Sequence, residues 1–502
     1  MKRYLYILMV APLLAAAGCN DWLDEAMPKD ENLEQAQYAS EAGINAVMNG
    51  LYRNMSGAGL YGGDLTQTTL ELMAHYYYYI DDLSANSNMT WFNYMSKYSY
   101  GEDLLKNKFR SLWSGMFNAV FRVNNFIANL QKSSVLPAGQ KAILLGEAYG
   151  LRAFIQLDIF RLFGDIGGVQ LVPYNRSAQV MAHEQLPVAD FYALLKSDID
   201  SAKMLLQNDP VKTEGIKDLT ALDELTSDVP VTEIFQTYLR SYRFNYYAVR
   251  ALEARACLYF APLTGDYTSA YIAASEVLEC GKFSWVDKGA VLGNHNYIFF
   301  SEVIFGVHNS DLYTRWESYT GGDQLGSTYT VGEQNLQNNI FKNDNPGVDI
   351  RYWEDIRASQ WQLCRIDGQY TSVKFSNFSS KKTNDPIQYF QPLIRLGEMR
   401  LIVAELKLLN GDIGGALTEI NALRHQRGTE LSSLPTAITA AQGYDLLETE
   451  YYKEFYGEGQ AFYFLKRRGL NKIFNSSDLS GNTSDMAAVS YIPPIPQGEF
   501  DW

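Results

Sequence analysis

Residues Asn245–Cys280 read NYYAVRALEARACLYFAPLTGDYTSAYIAASEVLEC, and this stretch decides the fold. Apolar residues recur at helical spacing through Asn245–Ala261. The pattern breaks at Gly265-Asp266, a turn dipeptide, and resumes over Tyr267–Cys280. Ala270, Ala273 and Ala274 are small enough to let the second helix lie close to the first. A long helix, a short turn and a small-residue helix make the layout of a tetratricopeptide hairpin, whose repeat is about 34 residues. The layout recurs over Glu398–Leu409 and Ile413–Arg427, around Gly411-Asp412, with Ala416 and Ala422 as the small residues.

Two more pairs can be built upstream. Ala42–Met55 is periodic and can pair with Leu104–Leu130. Lys141–Phe163 sets Leu144, Ala148, Leu151, Ile155, Ile159 and Leu162 on one face, stops at Gly164-Asp165, and can pair with Pro187–Leu206. Four hairpins predict an all-α, tetratricopeptide-like helical repeat scaffold, in which each unit buries its face on its neighbours. Residues 282–394 lack the helical period, hold short β-rich pieces such as Val303–Val307, and predict an inserted, irregular, loop-rich lobe. Residues 56–103 also lose the period and read as a long aromatic loop, of a length that is usually functional. The tail from Tyr491 to Pro496 holds three prolines and is extended.

The N-terminus is an export signal. Lys2 and Arg3 precede an apolar run from Leu5 to Leu14, and Ala15, Ala16, Ala17 and Gly18 lead to Cys19. The run is too short for an ordinary membrane span. A cysteine placed there reads as a lipobox whose thiol is lipidated after cleavage. The division expected is therefore a signal peptide over 1–18 and a lipid-anchored tether over 19–38. A repeat region over 39–281 carries the aromatic loop, a ligand-binding lobe follows over 282–394, and 395–502 hold the last repeat and C-terminal segment. Formal net charge is −15. Lys2 and Arg3 leave with the signal, so the mature chain stands near about −17, which with no basic aromatic stretch excludes nucleic-acid binding. Cys257, Cys280 and Cys364 remain, too few for a disulfide scaffold and without metal-ligand spacing. A Cys257–Cys280 bridge is open, although both sit in helical patterns as small apolar residues.

The ordered motifs along the chain resemble the SusD/RagB family. The mature start would be Cys19-Asn20-Asp21-Trp22-Leu23-Asp24, with Pro28 behind it. Arg152-Ala153-Phe154 through Phe160-Arg161-Leu162-Phe163-Gly164-Asp165 is similar to the family's helix ending in Phe-Gly-Asp. Arg395, Glu398 and Glu405 stand where the family begins its last repeat. Asn421-Ala422-Leu423-Arg424 with Arg427-Gly428, then Glu454-Phe455 with Glu458-Gly459, and Ile492 to Pro496 complete the set. One departure is plain: where the family carries Arg and then Asp after Glu-Gly, this chain has Ala461 and Phe464. The resemblance implies a lipoprotein of the outer membrane facing the exterior. Its partner would be a TonB-dependent, SusC-like barrel docked on the repeat face, and its ligand a glycan or, in some relatives, a peptide.

Catalytic motifs do not emerge. There is no Gly-x-Ser-x-Gly elbow, no His-Glu-x-x-His and no phosphate loop, and the five histidines share no close helical spacing. Glycoside hydrolysis needs two carboxylates, and Asp81-Asp82 or Glu454 with Glu458 are the only pairs worth considering; such spacings are far more often paired or capping groups. No enzyme activity, cofactor or metal is expected. A surface structural or adhesive protein is the other class, but fimbrial subunits should be β-rich. Sugar binding needs flat aromatic faces and amides or carboxylates for hydroxyls. The Tyr76–Tyr79, Asp81, Asn86, Asn88, Trp91, Asn93 and Tyr94 stretch has that inventory, as do Tyr313, Arg315, Trp316 and Tyr319. Neither stretch reads as a core-facing helix, and the resemblance implies that the ligand surface draws on both regions. The expected site is Tyr79, Asp81, Asn86, Trp91, Tyr94, Trp316 and Tyr319, with Trp91 and Trp316 dominant.

Overall fold

The structure is a computed structural model that describes residues 36–77, 87–179, 184–216, 239–320, 329–342, 354–363, 369–376, 388–429, 434–475 and 483–496. The signal sequence, Cys19 and Cys364 lie outside the described residues.

Helices dominate. We number them α1 Glu41–Met55, α2 Thr69–Met73, α3 Ser87–Ser96, α4 Asp103–Lys132, α5 Ala138–Phe163, α6 Val188–Leu205, α7 Tyr246–Thr264, α8 Tyr267–Glu279, α9 Leu312–Thr320, α10 Leu396–Leu409, α11 Ile413–Gln426, α12 Ala440–Glu454 and α13 Gln460–Arg468. Helix α1 packs on α4, α5 on α6, α7 on α8, and α10 on α11. Contacts of α4 with α5, α6 with α7, and α8 with α10 join these pairs into one stack.

The turns inside the last two pairs have one physical cause. Gly265 and Gly411 take φ of 72° and 77°, the left-handed conformation that ends a helix without a Cβ clash. Asp266 and Asp412 then cap the following helix, accepting from the backbone N–H of Ser269 at 2.9 Å and of Gly415 at 2.8 Å. Ala270, Ala273, Ala274 and Ala416 are fully buried, as close helix packing requires.

Helix α5 differs from its one-face reading. From Leu144 to Phe163 it is enclosed almost all round, with Glu147, Arg152, Asp158 and Arg161 inside. Each is paired: Arg152 donates to both Asp198 oxygens at 2.6 and 2.7 Å, Arg240 reaches Glu147 at 2.5 Å, and Arg161 pairs with Asp158. Cys257 and Cys280 are free thiols. Cys257 lies 3.6 Å from the Tyr192 hydroxyl, and Cys280 accepts from the Lys282 backbone N–H at 3.4 Å.

The inserted lobe holds short strands. Strand β1, Val303–His308, pairs antiparallel with β5, Phe390–Arg395, which runs straight into α10. Strands β2 Val331–Gly332, β4 Gln369–Ser372 and β3 Trp361–Leu363 form a second sheet in the order β2-β4-β3, and β6 Lys472–Phe474 pairs with β7 Thr483–Asp485. Two segments depart from expectation. The aromatic loop contains α2 and α3, and Leu312–Thr320 is the helix α9. Each helix is short enough that its few apolar residues give no clear period.

Candidate functional site

Helix α3 divides its aromatics by face. Phe92 and Met95, three residues apart, are buried, while Trp91 and Tyr94 are half-buried on a neighbouring side. Helix α9 does the same: Leu312 and Trp316, four apart, face inward, and Tyr319 stays partly open.

Trp316 is therefore a core residue, and its expected stacking role is withdrawn. Its ring is fully buried, Nε1 donates to the Ser372 carbonyl at 2.9 Å, and the indole meets Phe375 and Tyr456 edge-on at 5.4 and 6.0 Å. Tyr76 and Tyr77 are buried as well, donating to the Tyr452 and Gln67 carbonyls at 2.6 and 2.7 Å. Tyr79, Asp81 and Asn86 lie outside the described residues.

Tyr329 connects the two helices. Its ring sits 4.8 Å from Phe92 of α3 and 4.9 Å from Tyr319 of α9. Trp91 continues the series at 5.4 Å from Phe92. Beside this aromatic chain, Lys108 places its ammonium 5.3 Å from the Trp91 ring centre and pairs with Asp64 at 2.6 Å. Asp64 also accepts from the Thr68 hydroxyl at 2.9 Å. Arg315 donates to the Gly62 carbonyl, which ties α9 to the chain before α2. Burial raises the Tyr319 phenol, with Arg315 lowering it and Asp64 raising it, so the hydroxyl stays protonated. The result is two half-buried rings, Trp91 and Tyr319, near a carboxylate, an ammonium and a guanidinium. Asp64 and Lys108 were not foreseen, because neither lies in the two aromatic stretches, 76–94 and 313–319, from which the site was read.

Known proteins match this architecture. Residues 316–500 match the model of the SusD family. That C-terminal part of the chain is similar to the SusD family. The chain is 24% identical over 525 residues to SusD-like protein P2 of Formosa agariphila, covering 100% of this chain and 97% of that protein. It shares the fold of a SusD superfamily protein from Bacteroides thetaiotaomicron, with a TM-score of 0.67, 20% identity, and coverage of 92% of this chain and 98% of that one. A SusD-like carbohydrate binding protein from Bacteroides vulgatus superposes with a TM-score of 0.62 at 16% identity, covering 92% and 96%.

The motifs of this chain that resemble the SusD family serve its structure. Arg395 reaches Glu454 at 2.7 Å and Glu458 at 2.9 Å; Arg255 grips Glu398 at 2.6 Å; Arg467 grips Glu405 at 2.6 Å. Burial pushes the Glu454 carboxyl up, but Arg427 and Arg395 hold it well below its usual range. With Arg357 also at 3.0 Å, Glu454 has no oxygen to offer a glycosidic bond, and Glu458 is held likewise by Arg395 and Lys374. At the departing positions, Phe464 stacks on Tyr451 at 4.1 Å and Ala461 is buried, so apolar packing occupies that place. Among the described residues no helix is long and apolar enough to cross a membrane.

Proposed function

We propose that this SusD-like chain is a cell-surface lipoprotein, anchored through Cys19, that captures oligosaccharides and passes them to a TonB-dependent, SusC-like barrel. One observation carries the ligand class: Tyr329 brings α3 and α9 together, so Trp91 and Tyr319 offer rings beside Asp64, Lys108 and Arg315, with half-buried Tyr94 three residues after Trp91 on α3. Rings shed water onto the apolar face of a sugar, and the charged groups replace the water lost by its hydroxyls. Tyr79, Asp81 and Asn86 belong to the same reading, since they lead directly into α3. The carbohydrate-binding relative from Bacteroides vulgatus supports the same ligand class.

The repeat stack supports the partner. Leu263, Tyr267, Tyr271, Ile272 and Leu409 are exposed at the ends of two neighbouring hairpins. A groove of about 480 Å3 runs between Tyr267, Tyr271, Leu406 and Leu409. An apolar patch of that kind marks a docking surface, and the barrel is its proposed occupant.

Electrophoresis through gels that contain single soluble polysaccharides tests the ligand class. At least one polysaccharide should retard the protein. If none does while a peptide library is bound, the ligand is a peptide and the glycan reading is wrong.

A further inference from the structure

A second cavity shares no described lining residue with the aromatic face. Its volume is about 420 Å3, and it is lined by Asn49, Tyr52, Arg53 and Ser56 of α1 and its end, Tyr242 and Arg243 before α7, and His308 and Ser310 at the end of β1. The α1 residues fall at i, i+3, i+4 and i+7, one helical face. That face borders the core face of Ile44, Met48, Leu51 and Met55, with Tyr52 buried where the two meet. Among the described residues no carboxylate lines the space, although the chain as a whole is strongly acidic.

The charges beneath it can be followed one by one. Arg240 pairs with Glu147 at 2.5 Å and Asp209 at 2.6 Å, and Arg243 stands 3.6 Å from Glu147. Two buried cations thus face two buried anions. Arg243 also donates to Asn49 at 2.7 Å and lies over the Tyr52 ring at 4.9 Å, so its guanidinium is held in one place. Burial lowers His308, which leaves a neutral imidazole at the rim as a hydrogen-bonding group. Arg53 is exposed and, among the described residues, has no ion pair. Among the described lining residues it is the one charge without a counter-charge. Around it stand the Asn49 amide and the Ser56 and Ser310 hydroxyls, groups suited to a polyhydroxylated ligand, while the Tyr52 hydroxyl is held by Glu147 and the Phe244 N–H; the volume admits a sugar unit.

We propose that this cavity is a second ligand site, which takes one singly charged anionic sugar unit, a uronate or a sulfated sugar, with its carboxylate or sulfate on Arg53. A bidentate guanidinium contact suits both oxoanions. The proposal rests on the saccharide reading above only for the class of the neutral part of the ligand.

Calorimetric titration of the full chain with D-glucuronate, D-glucose 6-sulfate and D-glucose tests it. At least one anion should bind, and the one that does identifies the oxoanion; D-glucose should give no measurable heat. Arg53→Gln should weaken the anion by about tenfold, the range of a partly exposed charged hydrogen bond. Arg53→Lys should restore part of the loss, and both variants should melt at the wild-type temperature. Trp91→Ala should leave anion binding unchanged. Absence of binding by both anions, equal binding of D-glucose, or undiminished binding in Arg53→Gln overturns the proposal. Loss of anion binding in Trp91→Ala also overturns it, because the anion would then sit on the aromatic face. Glucuronate bound by a protein that no polysaccharide retards would sink the glycan-capture reading and leave this site standing.

Discussion

Arg427 and Glu302, 125 residues apart, form a bidentate pair, with Nη1 to Oε1 and Nη2 to Oε2 each at 2.6 Å. The pair bolts the start of β1 to the end of α11, so the inserted lobe and the last hairpin share one buried charge network. Arg427 also reaches Glu454 at 2.5 Å, and Glu302 accepts from the Val286 backbone N–H at 3.0 Å. Replacing Arg427 with Met leaves Glu302 and Glu454 buried with one cation fewer. The loss should be about 3–5 kcal/mol of unfolding free energy, read from urea denaturation. A loss under about 1 kcal/mol would show that the network is dispensable.

Glu71 titrates far from its usual range. Burial raises its carboxyl from 4.5 to about 8, opposed by the Gly459 N–H at 2.9 Å and by the Lys374 charge. Below pH 4.5 the group is protonated in both folded and unfolded chains. Between 4.5 and about 8 only the unfolded chain releases the proton, so stability falls as pH rises through that window. Glu71→Gln keeps an acceptor for Gly459 and removes the titration. Its stability relative to wild type should grow from pH 4.5 to pH 8 and then level off. Chemical denaturation across that range checks this, and parallel curves for the two proteins would refute it.

The Gly-Asp turns explain why the repeats were readable. A left-handed glycine and a capping aspartate are local chemistry, and local chemistry is written in adjacent residues. Helices α3 and α9 were missed because each presents only two or three inward residues, too few to set a period against the polar background. Trp316 was misplaced for the same reason. Leu312 four residues before it is its buried partner on that face, and its burial depends on Phe375 and Tyr456, which are distant in sequence. The meeting of the two stretches through Tyr329 was equally invisible, because that ring lies in neither of them. Asp64 and Lys108 escaped notice because a lone acid and a lone lysine have meaning only after the chain brings them within 2.6 Å.

Cys19 should account for membrane attachment. Wild-type protein should sediment with membranes and enter the detergent phase, whereas Cys19→Ala should be released in soluble form. Recovery of Cys19→Ala in the membrane fraction would remove the anchor.

The exposed residues of the repeat stack should govern the partner. Ile272→Glu and Leu263→Glu place a charge on a surface that is apolar and open in the free chain. Both variants should fold with unchanged melting temperature, and both should fail to retain the outer-membrane barrel in a mild-detergent pull-down. Undiminished retention in both would move the contact elsewhere.

The central claim is that the α3 and α9 face holds the sugar, and Trp91→Ala tests it most directly, with Trp316→Ala as the contrast. Binding of an oligosaccharide from whichever polysaccharide retards the wild type should be followed by calorimetry, alongside thermal melting. Trp91→Ala should lose about 1–3 kcal/mol of binding with its melting temperature little changed, since the ring is half-buried and meets the Phe92 ring only at a tilt. Trp316→Ala should instead lose about 3–5 kcal/mol of stability, as an emptied core position does. Full affinity in a well-folded Trp91→Ala protein would contradict the account.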